Sequence, residues 1–302
     1  MRANGYVADA VVALFGPTAS GKTAVAEVVA RQIPAEVISA DAAALFRGLE
    51  VLTAAPDYPA RLVGVYGVEQ EVSVGDFQRL AHEAIDDVLE NDRTPVLVGG
   101  TGLYFRAALS DLQLPPPPAA GAREQWEAFY DAHGGVHAHG RLQALDPEAA
   151  ARVHPNDRRR VVRALELAEG GASLAGDALW GGDTRRPTLV FGLDAPDDVL
   201  EQRIRARAAA MLDRGVVEEA RAALARPISR SAQKVMGLLD FAQLPPEEAR
   251  EALVANNRSL VRYQRKWMRR IPGLITLDAN RAPEEIAAEI IDIARSRGML
   301  AA

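Results

Sequence analysis

The 302-residue sequence contains no cysteine. That excludes disulfides and thiolate-held metals, and it fits a reducing, cytoplasmic setting. Lysine is nearly absent. Lys22, Lys234 and Lys266 are the only three, so almost all of the 35 basic residues are arginine. Genome base composition alone can produce such a bias, yet it leaves Lys22 as the one lysine of the N-terminal half. Aromatic residues make up only 5%. No run reaches about 18 apolar residues, so no membrane-spanning helix is expected. The opening MRANGYVADA lacks the basic-then-apolar pattern of a secretory signal. A net charge of −6 excludes a surface coated in positive charge but leaves room for a local basic face.

What is present alternates. Val11–Phe15, Glu36–Ser39, Pro95–Val98, Thr188–Leu193 and Leu274–Leu277 are short apolar runs that read as buried strands. Between them, Lys22–Arg31 and Gln78–Glu90 carry helical spacing, and a long helical stretch runs from Val199 to about Arg270. This order predicts an α/β fold with a parallel sheet flanked by helices. The order breaks at Pro115–Pro118, a stiff four-proline run, and resumes after Gly170, Gly171, Gly176, Gly181 and Gly182. The expected organisation is a core formed by residues 1–118 and 185–302, with a helical insertion at 119–184.

Four motifs carry chemistry. The first, Gly16-Pro17-Thr18-Ala19-Ser20-Gly21-Lys22-Thr23, has the spacing of a P-loop, with a strand before it and a helix after. Backbone amides and the helix N-terminus there face a phosphate. Lys22 neutralises a phosphate oxygen, and the Thr23 hydroxyl suits Mg²⁺. The second, Asp41, follows the second strand at the sheet edge that faces ligand. It can hold a metal, take a proton, or merely cap a helix over Ala42–Phe46. The third, Gly99-Gly100-Thr101-Gly102, ends another strand, with Thr101 either in the crevice or an ordinary helix cap. The fourth is arginine clustering. One cluster is Arg152, Arg158, Arg159, Arg160 and Arg163 beside His154. The other is Arg258, Arg262, Arg265, Lys266, Arg269 and Arg270, with Tyr263 and Trp267 between. Each suits phosphate and base contacts, or is a solvated helix face. Arg203, Arg205 and Arg207 also offer an arginine to close over phosphates.

Taken in order, GPTASGKT, ISADAAALFRGLEVLTAAP, VGGTGLYFRAAL, DPEAAARVHPNDRRRVVRALEL, RIRARAAAMLDRG and RYQRKWMRR resemble the tRNA dimethylallyltransferase family over nearly the whole chain. That resemblance implies a P-loop α/β core with a helical insertion contacting tRNA. It implies transfer of a dimethylallyl group from dimethylallyl diphosphate to N6 of the adenosine 3′ to the anticodon, in tRNAs reading codons that start with U. Mg²⁺ would sit at Thr23, and Gly16–Thr23 would hold the diphosphate. Asp41 would be the general base, Thr101 would orient the reacting groups, and Arg207 would grip the leaving diphosphate. Asp41, Ala42, Ala43, Ala44 and Thr101 would meet the tRNA adenosine, and Arg123, Arg159, Arg160, Val161, Val162 and Arg163 the rest of the tRNA. A monomer is expected, with no membrane contact.

The chain departs from the family's pattern at substrate-facing blocks. The family's Asp-Ser-x-Gln reads Asp41-Ala42-Ala43-Ala44, and its Thr-Ala-Lys-Pro reads Thr53-Ala54-Ala55-Pro56. Its His-His-Leu is absent from RLVGVYG, and its Gly-Tyr-Lys-Glu reads Gly237-Leu238-Leu239-Asp240. Other readings of the P-loop are a small-molecule kinase using ATP, a catalytically weak tRNA binder, or transfer to a free adenine nucleotide.

Overall fold

The computed structural model describes residues 9–114, 119, 121–174 and 183–300. The four-proline run and Gly176, Gly181 and Gly182 lie outside them. The chain forms two compact units, one of residues 1–111 and 182–302, the other of 112–181.

The first unit opens with β1 (Val11–Phe15), α1 (Lys22–Gln32), β2 (Ala35–Ser39) and β3 (Ala60–Arg61). Then come α2 (Val74–Glu90), β4 (Thr94–Gly99) and α3 (Gly102–Leu109). The second unit holds α4 (Ala122–Leu145), α5 (Pro147–Arg152) and α6 (Arg158–Glu169). The first unit resumes with β5 (Thr188–Asp194), α7 (Asp197–Asp213), α8 (Val216–Leu224) and α9 (Leu238–Gln243). It closes with α10 (Pro246–Met268), β6 (Ile275–Asp278) and α11 (Pro283–Ser296). Among the described residues the sheet has six strands in the order β3-β2-β4-β1-β5-β6, all parallel. Every residue of β1 and β4 is buried, as both faces of a covered parallel sheet require. The loop after β1 therefore opens at the sheet's centre, where chain direction switches and ligand crevices form.

Several boundaries differ from those expected. α2 starts at Val74, four residues before Gln78, because Ser73 and Asp76 form a reciprocal capping box. The helical stretch from Val199 to Arg270 divides into four α-helices. Gly215 and Gly237, at φ 85° and 86°, and Pro245 interrupt it. Ala42–Phe46 forms turns and a single bridge, not a helix.

In the second unit, Asp146 and Asp157 cap α5 and α6 through bonds to Ala149 and Arg160 N–H. Gly134, at φ 78°, breaks α4. Trp126, Leu142, Ala150, Val161 and Leu165 close a separate small core.

In the first unit, the chain's departure at 109–111 and return at 183–186 are tied together. Arg185 N–H donates to Leu109 O at 2.7 Å and Ser110 Oγ to Asp183 O at 2.8 Å. Arg185 and Arg186 both grip Asp86 of α2. The Arg185 guanidinium first, helped by Arg186 and opposed by burial, lowers the Asp86 carboxyl to about 2. A depressed carboxylate adds stability above its unfolded pKa and loses it as pH falls through the folded one. Asp86→Asn should therefore lower Tm at pH 7, by at most about 2 kcal/mol of stability. The gap from wild type should close between pH 4 and pH 2 in thermal melts.

Candidate active site

The P-loop is built by two left-handed residues. Ala19 has φ 63° and Gly21 φ 86°. Alanine there costs about 1 kcal/mol, a strain found where backbone must present itself to a ligand. Gly21 then starts α1 with no side-chain cap. The first amides of α1 are thus left for an anion, and the helix dipole adds to them. Lys22 Nζ curls back to Pro17 O at 2.7 Å. Burial lowers its ammonium to about 8, with Asp41 opposing and Arg207 reinforcing the shift.

Asp41 stands just past β2. Its Oδ1 accepts from Ala43 N–H at 2.9 Å, and its own N–H donates to Ser39 Oγ at 3.3 Å. No helix follows for Asp41 to cap: one oxygen closes a turn, and Asp41 lines the cavity. Thr101 occupies the N-cap position of α3, yet its side chain makes no cap bond. Thr101 lines the cavity. Arg207 comes from α7, and its Nη2 donates to Thr18 Oγ1 at 2.7 Å and to Asn257 Oδ1 at 3.3 Å. Burial lowers the Arg207 guanidinium and Asp41 opposes this.

These groups face one cavity of about 470 Å³, within the range of small-ligand sites. Thr18, Lys22, Thr23, Asp41, Thr101 and Arg207 all line it. The loop Thr53–Pro56 forms another wall, with Ala54 at φ 50°. Glu219 of α8 anchors that loop by accepting from Val51 and Leu52 N–H at 2.9 and 2.8 Å. Tyr58 Oη donates to Thr23 O at 2.9 Å, tying the following segment to α1.

Residues 44–271 match the IPP transferase family model. A tRNA dimethylallyltransferase of Salinispora arenicola is 36% identical over 285 residues, covering 90% of this chain and 83% of that protein. One from Thermobifida fusca is 38% identical over 283 residues, covering 87% and 88%. The full-length tRNA isopentenylpyrophosphate transferase of Bacillus halodurans superposes with a TM-score of 0.68 at 31% identity, covering 96% of this chain and 97% of that one. A eukaryotic dimethylallyltransferase acting on tRNA shares the fold, with a TM-score of 0.74 at 21% identity over 95% of this chain and 78% of that one.

This chain belongs to the IPP transferase family.

In this IPP transferase, the P-loop, Asp41, Thr101 and Arg207, the site elements expected from the sequence, line one cavity. The alanines that replace family polar groups split. Ala44 and Ala55 line the cavity, whereas Ala42 lies in the turn that Asp41 closes onto the Ala43 N–H.

Several of the clustered arginines are ion-paired, though most remain exposed. Arg123 and Arg163 both pair with Glu166, whose side chain is fully buried. Burial pushes the Glu166 carboxyl up, and the two guanidinium groups outweigh it and hold it below its ordinary value. Arg158 pairs with Asp131, Arg152 with Glu148, Arg258 with Glu201, and Arg265 with Asp194 and Asp197. Val161 and Val162, placed on tRNA by resemblance, are 0% and 4% exposed and pack into the second unit's core. Arg159 and Arg160 remain exposed, with no ion pair among the described residues.

Two polar residues at the site escaped the sequence reading. Gln264 and Asn257 of α10 are 5% and 4% exposed. A signal existed. Both occupy the apolar face set by Ala249, Leu253, Val261 and Trp267, where an unexplained amide marks a partner.

Mg²⁺ fits the donor set without a preformed cage. Among the described residues no three His, Cys, Asp or Glu side chains gather. Thr23 and Asp41 offer one hydroxyl and one carboxylate to the cavity. Mg²⁺ commonly binds through one or two protein oxygens plus substrate phosphates and water.

Proposed function

We propose that this protein transfers a dimethylallyl group from dimethylallyl diphosphate to N6 of the adenosine 3′-adjacent to the anticodon, in tRNAs that read codons beginning with U. The single observation behind this reading is the convergence of the P-loop, Asp41, Thr101 and Arg207 on one cavity. The names of the similar proteins, tRNA dimethylallyltransferases, support it.

The chemistry follows from these groups. An adenine N6 amine is a poor nucleophile because its lone pair is delocalised into the ring. Asp41 takes its proton as nitrogen attacks C1 of the allyl group. The C1–N bond forms as the C1–O bond breaks, and the electron pair leaves on diphosphate. Lys22, Arg207 and the uncapped amides of α1 meet that growing charge. Thr101 orients the amine through its hydroxyl. Thr23 would hold Mg²⁺, which would supply further neutralisation of the leaving group's charge. The adenosine must leave the anticodon stack to reach the cavity. Arg159 and Arg160 contact the tRNA backbone. No helix among the described residues is long and apolar enough to cross a membrane; cytoplasmic action as a monomer completes the reading.

The test supplies labelled dimethylallyl diphosphate with tRNA, AMP or ATP in parallel. Label is expected in tRNA alone. Label in AMP or ATP, or in none, overturns the proposal. tRNA affinity should also fall as salt rises, with a smaller log–log slope in an Arg159→Ala, Arg160→Ala double variant.

A further inference from the structure

α10 carries two buried amides, Asn257 and Gln264, seven residues apart. Two helical turns separate them, so both project from one face, about 10 Å apart along the axis. Burying an amide is costly unless its polar atoms are paired, and an apolar face would pack α10 without that cost. Both amides are paired, and their partners beyond α10 are parts of the catalytic cavity. Gln264 Oε1 accepts from Thr18 N–H in the P-loop at 2.7 Å. Gln264 Nε2 donates to Gly100 O, beside Thr101, at 3.1 Å. Asn257 Oδ1 accepts from Arg207, while its Nδ2 donates to Leu253 O at 2.8 Å. Arg207 in turn donates to Thr18 Oγ1. Thr18 is therefore held twice, by its backbone from Gln264 and by its hydroxyl from Arg207.

Gly100 records the same constraint. A Cβ there would overlap the Gln264 amide. The second glycine of the motif is thus small because Gln264 reaches across it.

We propose that Gln264 and Asn257 are positioning residues that set the P-loop and Arg207 for the leaving diphosphate. This rests on the transfer reading above. The polar atoms of both amides are taken up by protein partners. Gln264 locks the P-loop to the Gly100–Thr101 turn, and Asn257 fixes the rotamer of an arginine that burial would otherwise leave poorly tethered. Displacements of about 1 Å at such groups cost on the order of 10²-fold in rate.

The experiment compares Gln264→Met, Asn257→Leu and Asn257→Asp with wild type. Calorimetry reads affinity for inorganic diphosphate, and steady-state kinetics read kcat and KM for tRNA. Gln264→Met should lose about 10²-fold in kcat and bind diphosphate about tenfold more weakly, with KM for tRNA unchanged. Asn257→Leu should lose about tenfold in kcat, and Asn257→Asp, still an acceptor for Arg207, should recover most of it. Where Gln264→Met does not fold, the Asn257 pair decides alone. Wild-type diphosphate affinity and kcat in Gln264→Met and Asn257→Leu overturn the proposal, as does an equal loss in Asn257→Asp and Asn257→Leu. Diphosphate binding needs no transfer. A wild type that binds diphosphate but prenylates no tRNA sinks the transfer reading alone, and weaker binding by the variants still supports positioning.

Discussion

Asp41→Asn is expected to lower the rate of dimethylallyl transfer by about 10³-fold, within the usual contribution of a general base. tRNA affinity should stay nearly unchanged. Asparagine is the informative replacement. Its side-chain oxygen can still accept from Ala43 N–H, the bond that shapes the turn after β2. The local backbone is therefore kept while the base is removed. Asp41→Ala would remove both, and a fall in activity could then come from a collapsed turn. Quench assays for product and filter binding for tRNA separate chemistry from binding. Asp41→Asn with wild-type kcat would remove Asp41 from the mechanism. The Asn variant should also weaken diphosphate binding less than Lys22 or Arg207 variants, since a carboxylate next to a leaving anion contributes nothing attractive to it.

Lys22→Met is expected to cut kcat by roughly 10²- to 10³-fold, the range for losing one preorganised charge-stabilising group. Inorganic diphosphate should bind far more weakly. The fold should survive, because burial already disfavours the charged ammonium and lowers it to about 8. The sign of the pH dependence follows. In the free protein Lys22 loses its proton near pH 8, and a bound diphosphate raises that value by favouring the charged form. Above pH 8, binding must take up a proton, so diphosphate affinity should fall by up to about tenfold per pH unit. Below pH 8 the lysine's contribution vanishes, and Lys22→Met should lack it throughout, keeping only the dependence that comes from protonation of diphosphate itself. Calorimetry between pH 6.5 and pH 9.5 reads it directly. Stability of the free protein runs the other way. A lysine depressed in the fold binds fewer protons than in the unfolded chain, so stability rises with pH between about 8 and 10.5.

Much of this was legible in one dimension. VVALF, PVLV and TLVFGL lie in β1, β4 and β5 because runs apolar on both faces can be buried only inside a covered parallel sheet. The P-loop was legible because its function depends on backbone: glycine positions and a following helix start are properties of local sequence. β3 was not legible, since a two-residue edge strand has no period to detect. The start of α2 was written in Ser73 and Asp76 and passed over, because capping is a side-chain geometry rather than a hydrophobic repeat.

The arginines show where local reading stops. Clusters at 152–163 and 258–270 looked like a basic surface. Some partners lie far off in sequence, as with Arg258 and Glu201 or Arg265 and Asp194, and only folding brings those carboxylates into reach. Val161 and Val162 were carried over within a run of neighbours. A helix turns by 100° per residue, so adjacent positions in α6 split between solvent and core.

The sequence by itself determined the α/β class, the phosphate loop, and the candidacy of Asp41, Thr101 and Arg207, since each rests on a residue type at the end of a recognisable strand or on a short motif. The tertiary structure alone decided which polar groups share the cavity and what holds them. Gln264 meets Thr18 across 246 residues of sequence, and Asn257 meets Arg207 across 50. Bonds of that span leave no period and no motif behind. They exist only once α7 and α10 pack beside the loop that follows β1.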